Sequence, residues 1–383
     1  MVSQEKLLKS IELILQDFSP DDDANENWKN PAAETRINIP YEITPLPYLV
    51  FIMFVHIKEY SFGGQWEKVN WEIPVKYKNI PLMLSHRKFG FRISSPKGKD
   101  ADNRLVIEAI HKINKASPIA EKLVEPYIKE LVDNGKINVP NEYLQLRDRY
   151  QYFRENAEKY YSEADKRRKT KNIENNYSSY NEIVRSGYIA SHNFTAMLDA
   201  YFSYLEHILV LVKPFIHLDV VESNLSAYIG MLWSEKYKTI FDINTDIIAK
   251  KHYDALYDIK ESYRNVLSHG NFQKGGGSIS VHMKHLGAIP MHLSRSKDSL
   301  RYGFGKMQQK NFEEVCEVFD SFDEFLELGE TKYGIKFAKS GCYLPFDSES
   351  KNMYKNAMES DKEFDNFLEY FSRMQDDAAN MDW

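Results

Sequence analysis

Between Asn141 and Thr170 the chain runs for almost thirty residues, NEYLQLRDRYQYFRENAEKYYSEADKRRKT, without one Gly or Pro and with both charge signs interleaved. Nothing in that stretch breaks a helix, and its mixed charge suits a solvated surface, so it predicts one long helix. The segment also separates two kinds of sequence. Upstream, "WEKVNWEIPVKY", "KFGFRIS" and "YLVFIMFVHI" are β-branched and aromatic runs between Gly, Pro and Asn signals, and they predict a small sheet over about 40–95. By its length the run "YLVFIMFV", 48–55, reads as a buried strand. A short amphipathic helix over 4–17 and a polar linker come before the sheet, and helical periodicity begins at "NRLVIEAIHKINKA", with Pro118, Pro126 and Pro140 as punctuation. Downstream lie apolar helical segments, then "SISVHMKHLGAIPMHLS", whose alternation predicts a β-hairpin, then a helix over 310–329. The expected class is α+β. A small β-containing domain over 1–135 would serve recognition or sensing, a long helix within 136–176 would connect it onward, a helical bundle with the hairpin would fill 177–332, and an acidic tail with a helix would occupy 333–383.

Composition narrows the setting. Hydrophobic residues make up 43% of the 383 and aromatics 14%, enough apolar surface to offset chain entropy. Two cysteines, Cys316 and Cys342, cannot build a disulfide framework, which points to a reducing, cytoplasmic environment. No apolar run reaches the ~18 residues of a membrane span, and the charged N-terminal segment does not resemble a secretory leader. The net charge of −6 resides in residues 347–383, which hold ten acidic and four basic residues, so the rest sums to zero. Arg147 to Lys171 instead carries nine basic and five acidic residues, ending in "KRRKTK". Lys166, Arg167, Arg168 and Lys169 are therefore candidate RNA-phosphate contacts, with the alternative that cations simply favour a helix C-terminus. The acidic tail reads either as a solvated end or as an occupant of that basic path.

One short motif carries chemistry: "YRNVLSHG", Tyr263 to Gly270. Spacing alone selects little, because 14 Arg and 11 His produce about one match to Arg, four to six residues, then His by chance, and the chain has three. Arg104 with His111 and Arg185 with His192 are the others. Local physics is more selective. Stepping by 100° puts Leu256, Ile259, Tyr263, Val266 and Leu267 on one apolar stripe, leaving Arg264, Asn265 and His269 off it. Asn265 and His269 are one turn apart, and Gly270 supplies a left-handed helix end, where the macrodipole favours a protonated His269. Such a pair can cleave RNA. The reaction removes a 2′-hydroxyl proton, protonates the departing 5′-oxygen and stabilises charge on the phosphorane, and imidazole with guanidinium can supply these. One Arg and one His are barely enough, so a second copy across a C2 homodimer belongs to the hypothesis.

These residues resemble the signature of the HEPN superfamily, whose pattern is Arg, a polar residue, a short spacer and His. The context is similar too: an acidic residue inside an apolar helix, Glu206 in "YFSYLEHILVLV", and an intervening tryptophan-lysine helix, "LWSEKYK". The resemblance spans about 177–330. It implies a metal-independent endoribonuclease acting as a dimer on cellular RNA, plausibly tRNA, as a toxin or antiphage-defence effector. Arg264 and His269 would be catalytic, Asn265 supporting, and Glu206 orienting or structural. It also leaves room for a phage-derived or nucleotide trigger at the N-terminal domain. In the branch silenced by adenylylation a tyrosine stands two residues after the His; here that residue is Asn271, so that control is not implied. A non-catalytic dimerisation or nucleotide/RNA-binding module is the alternative. No phosphate loop, nucleophile elbow or zinc-binding helix motif is present, and no cofactor is expected. His282 and His292 would face each other across the hairpin, but two histidines without a third ligand do not predict a metal site.

Overall fold

The computed structural model describes residues 4–28, 34–97, 101–170, 177–216, 225–265, 272–273, 276–296, 299–304 and 309–383. The architecture is α+β and separates into two compact units, one of residues 1–132 with 369–383 and one of residues 133–368.

The first unit is built on five antiparallel strands: β1 (Phe18–Pro20), β2 (Glu34–Ile37), β3 (Val69–Tyr77), β4 (Ile80–Arg87) and β5 (Gly90–Pro96), in the order β1-β3-β4-β5-β2. Both central hairpins close through two residues. Lys78 and Asn79 have φ of 49° and 67°, the left-handed pair that matches strand twist, and set Tyr77 opposite Ile80. Strict alternation along β3 buries Val69, Trp71, Ile73, Val75 and Tyr77. Three helical segments cover this sheet's core: α1 (Gln4–Ile14), α2 (Pro47–Phe51) with its continuation Ile52–Ile57, and α3 (Asn103–Asp133).

Residues 48–55 are helical, not a strand. Pro47 occupies the first turn, where its missing N–H costs nothing, and Leu49, Val50, Met53 and Phe54 form one buried face at helical spacing. A short continuous apolar run suits a buried helix as well as a strand, and here burial on one side settles it. The continuation ends in a widened turn, Lys58 N–H to Met53 O at 3.1 Å. Pro118 and Pro126 do not break α3 either. Both lie on its exposed side, where water can take the carbonyls they leave unpaired, while Val106, Ala109, Ile110, Ile113, Ala116 and Ala120 hold the buried face.

The C-terminal residues belong to this unit. Lys68 N–H donates to Met381 O at 2.8 Å, Trp383 Nε1 donates to Val69 O at 2.9 Å, and Lys68 pairs with Asp382. Residues 333–383, read from sequence as a tail with one helix, form most of helix Lys332–Ser340, a short strand and helices Ser348–Ala357 and Asp361–Asn380. Apolar residues on each of these helices, Phe337, Tyr354, and Phe364 with Phe371, are buried there, which the acidic surface charge conceals in a net count.

In the second unit α4 (Tyr143–Thr170) and α5 (Tyr177–Ile216) pack along each other. The long helix is therefore a bundle member and not a connector. Tyr143, Tyr150, Ala157, Tyr161 and Ala164 are buried at near-heptad spacing, an inner seam hidden among charges. Around α5 stand α6 (Leu225–Gly230), α7 (Trp233–Ile240), α8 (Ile247–Ile259), α9 (Gln309–Leu328) and α10 (Lys332–Ser340). Tyr201 of α5 stacks on Phe319 of α9 at 3.5 Å between centroids. The apolar stretch Tyr180–Ile216 is long and apolar enough by composition to cross a membrane, yet 67% of its apolar window is buried inside the protein. The expected hairpin, Gly276–Met283 with Gly287–Ser296, is the centre of a four-stranded sheet completed by Phe272–Gln273 and Ser299–Phe304.

Candidate functional site

Helix α8 starts on Asp246, whose carboxylate accepts from Ile248 N–H at 2.8 Å and Ala249 N–H at 3.0 Å. Its buried face is Ala249, Tyr253, Leu256 and Ile259. The next turn, Lys260–Arg264, is wider: Asn265 N–H reaches Lys260 O, five residues back. One extra residue in a turn rotates everything after it by about 100° relative to a regular helix. Leu256 and Ile259 of the expected stripe are buried, and Val266 and Leu267 lie outside the described residues. Tyr263 is half-buried, accepting from Asn311 Nδ2 at 3.0 Å with its ring against Phe194, and Arg264 is turned towards α5.

There the guanidinium meets Asp199, Nε to Oδ1 at 2.8 Å, and donates from Nη1 to Asn265 Oδ1 at 3.2 Å. Asn265 Nδ2 in turn donates to Glu261 Oε1 at 2.8 Å. Among the described residues Nη2 of Arg264 makes no hydrogen bond, which leaves one donor edge for a ligand. The sequence expectation had Asn265 facing His269; the structure commits Asn265 to Arg264 and Glu261. His269, with Ser268 and Gly270, lies outside the described residues.

Two turns along α5 from Asp199, on the same face, is Glu206. Its carboxylate receives Lys236 Nζ at 3.1 Å from α7, so the acidic and tryptophan-lysine segments of the sequence pattern meet through an ion pair. Lys236 is only 3% exposed whereas Glu206 is 45% exposed. Lys260 completes the group, its ammonium 5.4 Å from the Trp233 ring centroid and 5.7 Å from that of Phe202. Burial, reinforced by the Arg264 charge, holds Lys260 below the ordinary lysine range, against the pull of Glu206 and Glu261. The site thus brings three cations, Lys236, Lys260 and Arg264, together with three carboxylates, Asp199, Glu206 and Glu261. An anionic phosphate would have to compete with those carboxylates for the guanidinium. Asp199, Lys260 and Glu261 did not emerge from the sequence. For Asp199 the signal was available, a second acid in the apolar run seven residues before Glu206.

The remaining sequence candidates are placed elsewhere. Arg104 and His111 are exposed on α3, and Arg185 and His192 are exposed on α5. At the end of α4, Arg167 pairs with Glu182 at 2.8 Å and Lys169 with Asp165 at 2.7 Å, so these two basic candidates are partly neutralised, while Arg168 is exposed. His282 and His292 are not opposite each other: the register sets His282 against Ala288 and His292 against Ser278. Among the described residues no group of His, Cys, Asp or Glu is arranged to hold a metal. Cys316 is buried, and burial pushes its thiol up to about 12, far from a reactive thiolate.

No family model, curated protein or solved structure matches this chain.

Proposed function

We propose that the protein is an endoribonuclease of the HEPN type, cleaving cellular RNA by 2′-hydroxyl attack without a metal, active as a homodimer in the cytoplasm and serving as a toxin or antiphage-defence effector. The observation that carries this reading is the Arg264 turn. A widened helical turn sets the arginine against Asp199 of the neighbouring helix and, among the described residues, leaves one guanidinium edge open, in the sequence context that puts His269 five residues on. Arg264 supplies the charge for the phosphorane, and His269 transfers the proton. Asn265 holds the guanidinium plane, and Glu206 acts through Lys236 to fix the wall of the site. A tRNA substrate fits this reading, with Lys166, Arg167, Arg168 and Lys169 contributing phosphate contacts that carry no sequence information.

A specific observation favours one second reading. Arg264 already has a carboxylate partner and so can serve a structural role, which leaves the domain a non-catalytic dimerisation or nucleotide/RNA-binding module. Purified wild type, Arg264→Ala and His269→Ala, incubated with total RNA in EDTA, separate the two. Cleavage by wild type and loss in both variants support the nuclease; RNA binding by wild type that weakens in the variants, with no cleavage by any of the three, supports the binding module.

A further inference from the structure

The first unit contains a cavity of about 560 Å³ that the nuclease reading does not use. Its volume falls within the range of small-molecule sites. Its walls are aromatic: Tyr48 and Phe51 from α2, Phe62 from the following loop, and Trp71 from β3. Phe51 meets Phe62 edge to face at 5.0 Å and Trp71 at 5.5 Å. Trp71 and Phe51 form the inner wall, packed with the core, whereas Tyr48, 67% exposed, and Phe62, 48% exposed, form the open side. The polar part consists of two amides, Gln65 and Asn70.

The amides are ordered by a relay. Gln65 Nε2 donates to Asn70 Oδ1 at 3.2 Å, and Asn70 Nδ2 lies 3.3 Å from Nδ1 of the buried His86. Burial lowers the His86 pKa, so the ring is neutral near pH 7 and its Nδ1 can accept from Asn70. The relay fixes both amide orientations and leaves Gln65 Oε1 as an acceptor with no partner among the described residues. A donor and an acceptor thus stand side by side at the edge of an aromatic slot.

Charge restricts the ligand further. None of the cavity's lining side chains is ionised. Arg87, one residue after His86, is stacked 5.7 Å over Trp66 and is already paired with Glu72 at 2.6 Å and Glu34 at 3.2 Å, so it offers little to a phosphate. An aliphatic ligand or a quaternary ammonium would use the rings but leave the amides unmatched. We infer that this cavity binds a nucleobase, stacked on the aromatic walls and read along its donor–acceptor edge by Gln65 and Asn70. The inference rests on the first unit alone and is independent of the ribonuclease reading. The same base could arrive as a free nucleoside or as an unpaired nucleotide of a single strand.

The test titrates the full-length protein with the four ribonucleosides, their 5′-monophosphates and single-stranded homo-oligonucleotides, by calorimetry and tryptophan fluorescence. At least one nucleoside binds saturably, and the 5′-phosphate changes its affinity by less than about threefold because no cationic side chain lines the cavity. Tyr48→Ala and Asn70→Ala each weaken binding by about tenfold, the scale of one lost stacking or hydrogen-bonding partner. Gly64→Leu adds bulk at the cavity wall, where a Cβ meets no atom within 4 Å, and should obstruct the site; an unchanged melting temperature verifies that the fold is intact. Arg264→Ala leaves the affinity unchanged, which separates this site from the second unit. Equal affinity for nucleoside and oligonucleotide identifies the free compound as the ligand source, and tenfold tighter oligonucleotide binding identifies a strand. Absence of saturable binding for every nucleoside and oligonucleotide overturns the inference, as does binding that Tyr48→Ala and Gly64→Leu both leave intact, or tighter binding of tetramethylammonium than of any nucleoside.

Discussion

The pair Glu206 and Lys236 makes an asymmetric prediction. The Lys236 side chain is 3% exposed and its ammonium meets Glu206 Oε1 at 3.1 Å, whereas the Glu206 side chain is 45% exposed. Removing one partner of a fully buried pair costs roughly 3–5 kcal/mol, because the other charge is left without compensation. Here solvent on the Glu206 side screens the pair, which lowers the loss for Glu206→Ala to about 1–2 kcal/mol. For a unit of this size that is a fall in Tm of about 3–6 °C. Lys236→Met should cost less, under about 1 kcal/mol, since methionine keeps most of the aliphatic stem and the orphaned carboxylate is solvated. Calorimetric unfolding of both variants, beside RNA cleavage, measures the difference. A larger loss for Lys236→Met than for Glu206→Ala would refute the reasoning, because the penalty would then lie in packing. If Glu206→Ala abolishes cleavage with Tm unchanged, Glu206 is an active-site group and the ion pair is incidental.

Two further outcomes follow from the bundle. Asp323 of α9 faces α5, where Tyr201 OH donates to its Oδ1 at 2.9 Å; burial pushes its carboxyl up to about 7, outweighing the Tyr201 hydrogen bond and the Arg147 charge. The folded state therefore keeps a proton that the unfolded chain releases near pH 4, so this contribution to stability is complete below about pH 4 and is lost as pH rises through about 7. Urea unfolding from pH 4 to 8 should show that decline in wild type and a flatter profile in Asp323→Asn; parallel profiles would exclude Asp323 as its source. Gly334 of α10 packs so closely on α5 that an added Cβ would stand 2.8 Å from the Val212 Cα and 2.9 Å from its Cβ. Gly334→Ala should destabilise the second unit by about 1–3 kcal/mol despite its better helix propensity, and a stabilised variant would show that the two helices separate freely.

How much the sequence disclosed depends on which physical signal each element carries. The strands β3 and β5 were legible because alternation and turn residues agree along them, and α9 because its periodicity is clean. The helix at 48–55 was misread because a continuous apolar run has no period to distinguish a buried strand from a buried helix. Residues 141–170 showed a helix but not its role: the tyrosines that make its inner seam are spaced among charges that read as solvated. The C-terminal segment was obscured in the same way, since a net count of acidic residues ignores Phe364 and Phe371 beneath them. At the site, Arg264, Asn265 and Glu206 were found by pattern. Asp199 and Lys260 were not, because their relation to Arg264 is created by helix packing and by a widened turn that a constant 100° step does not anticipate.

The central claim is that Arg264 and His269 cut RNA by attack of the 2′-hydroxyl. The most direct measurement is the chemical end left on RNA fragments produced in EDTA by wild type, Arg264→Ala and His269→Ala. The account predicts 2′,3′-cyclic phosphate ends that appear with wild type and disappear with either variant. Fragments ending in a free 3′-hydroxyl, or cyclic ends produced equally by all three proteins, would contradict it.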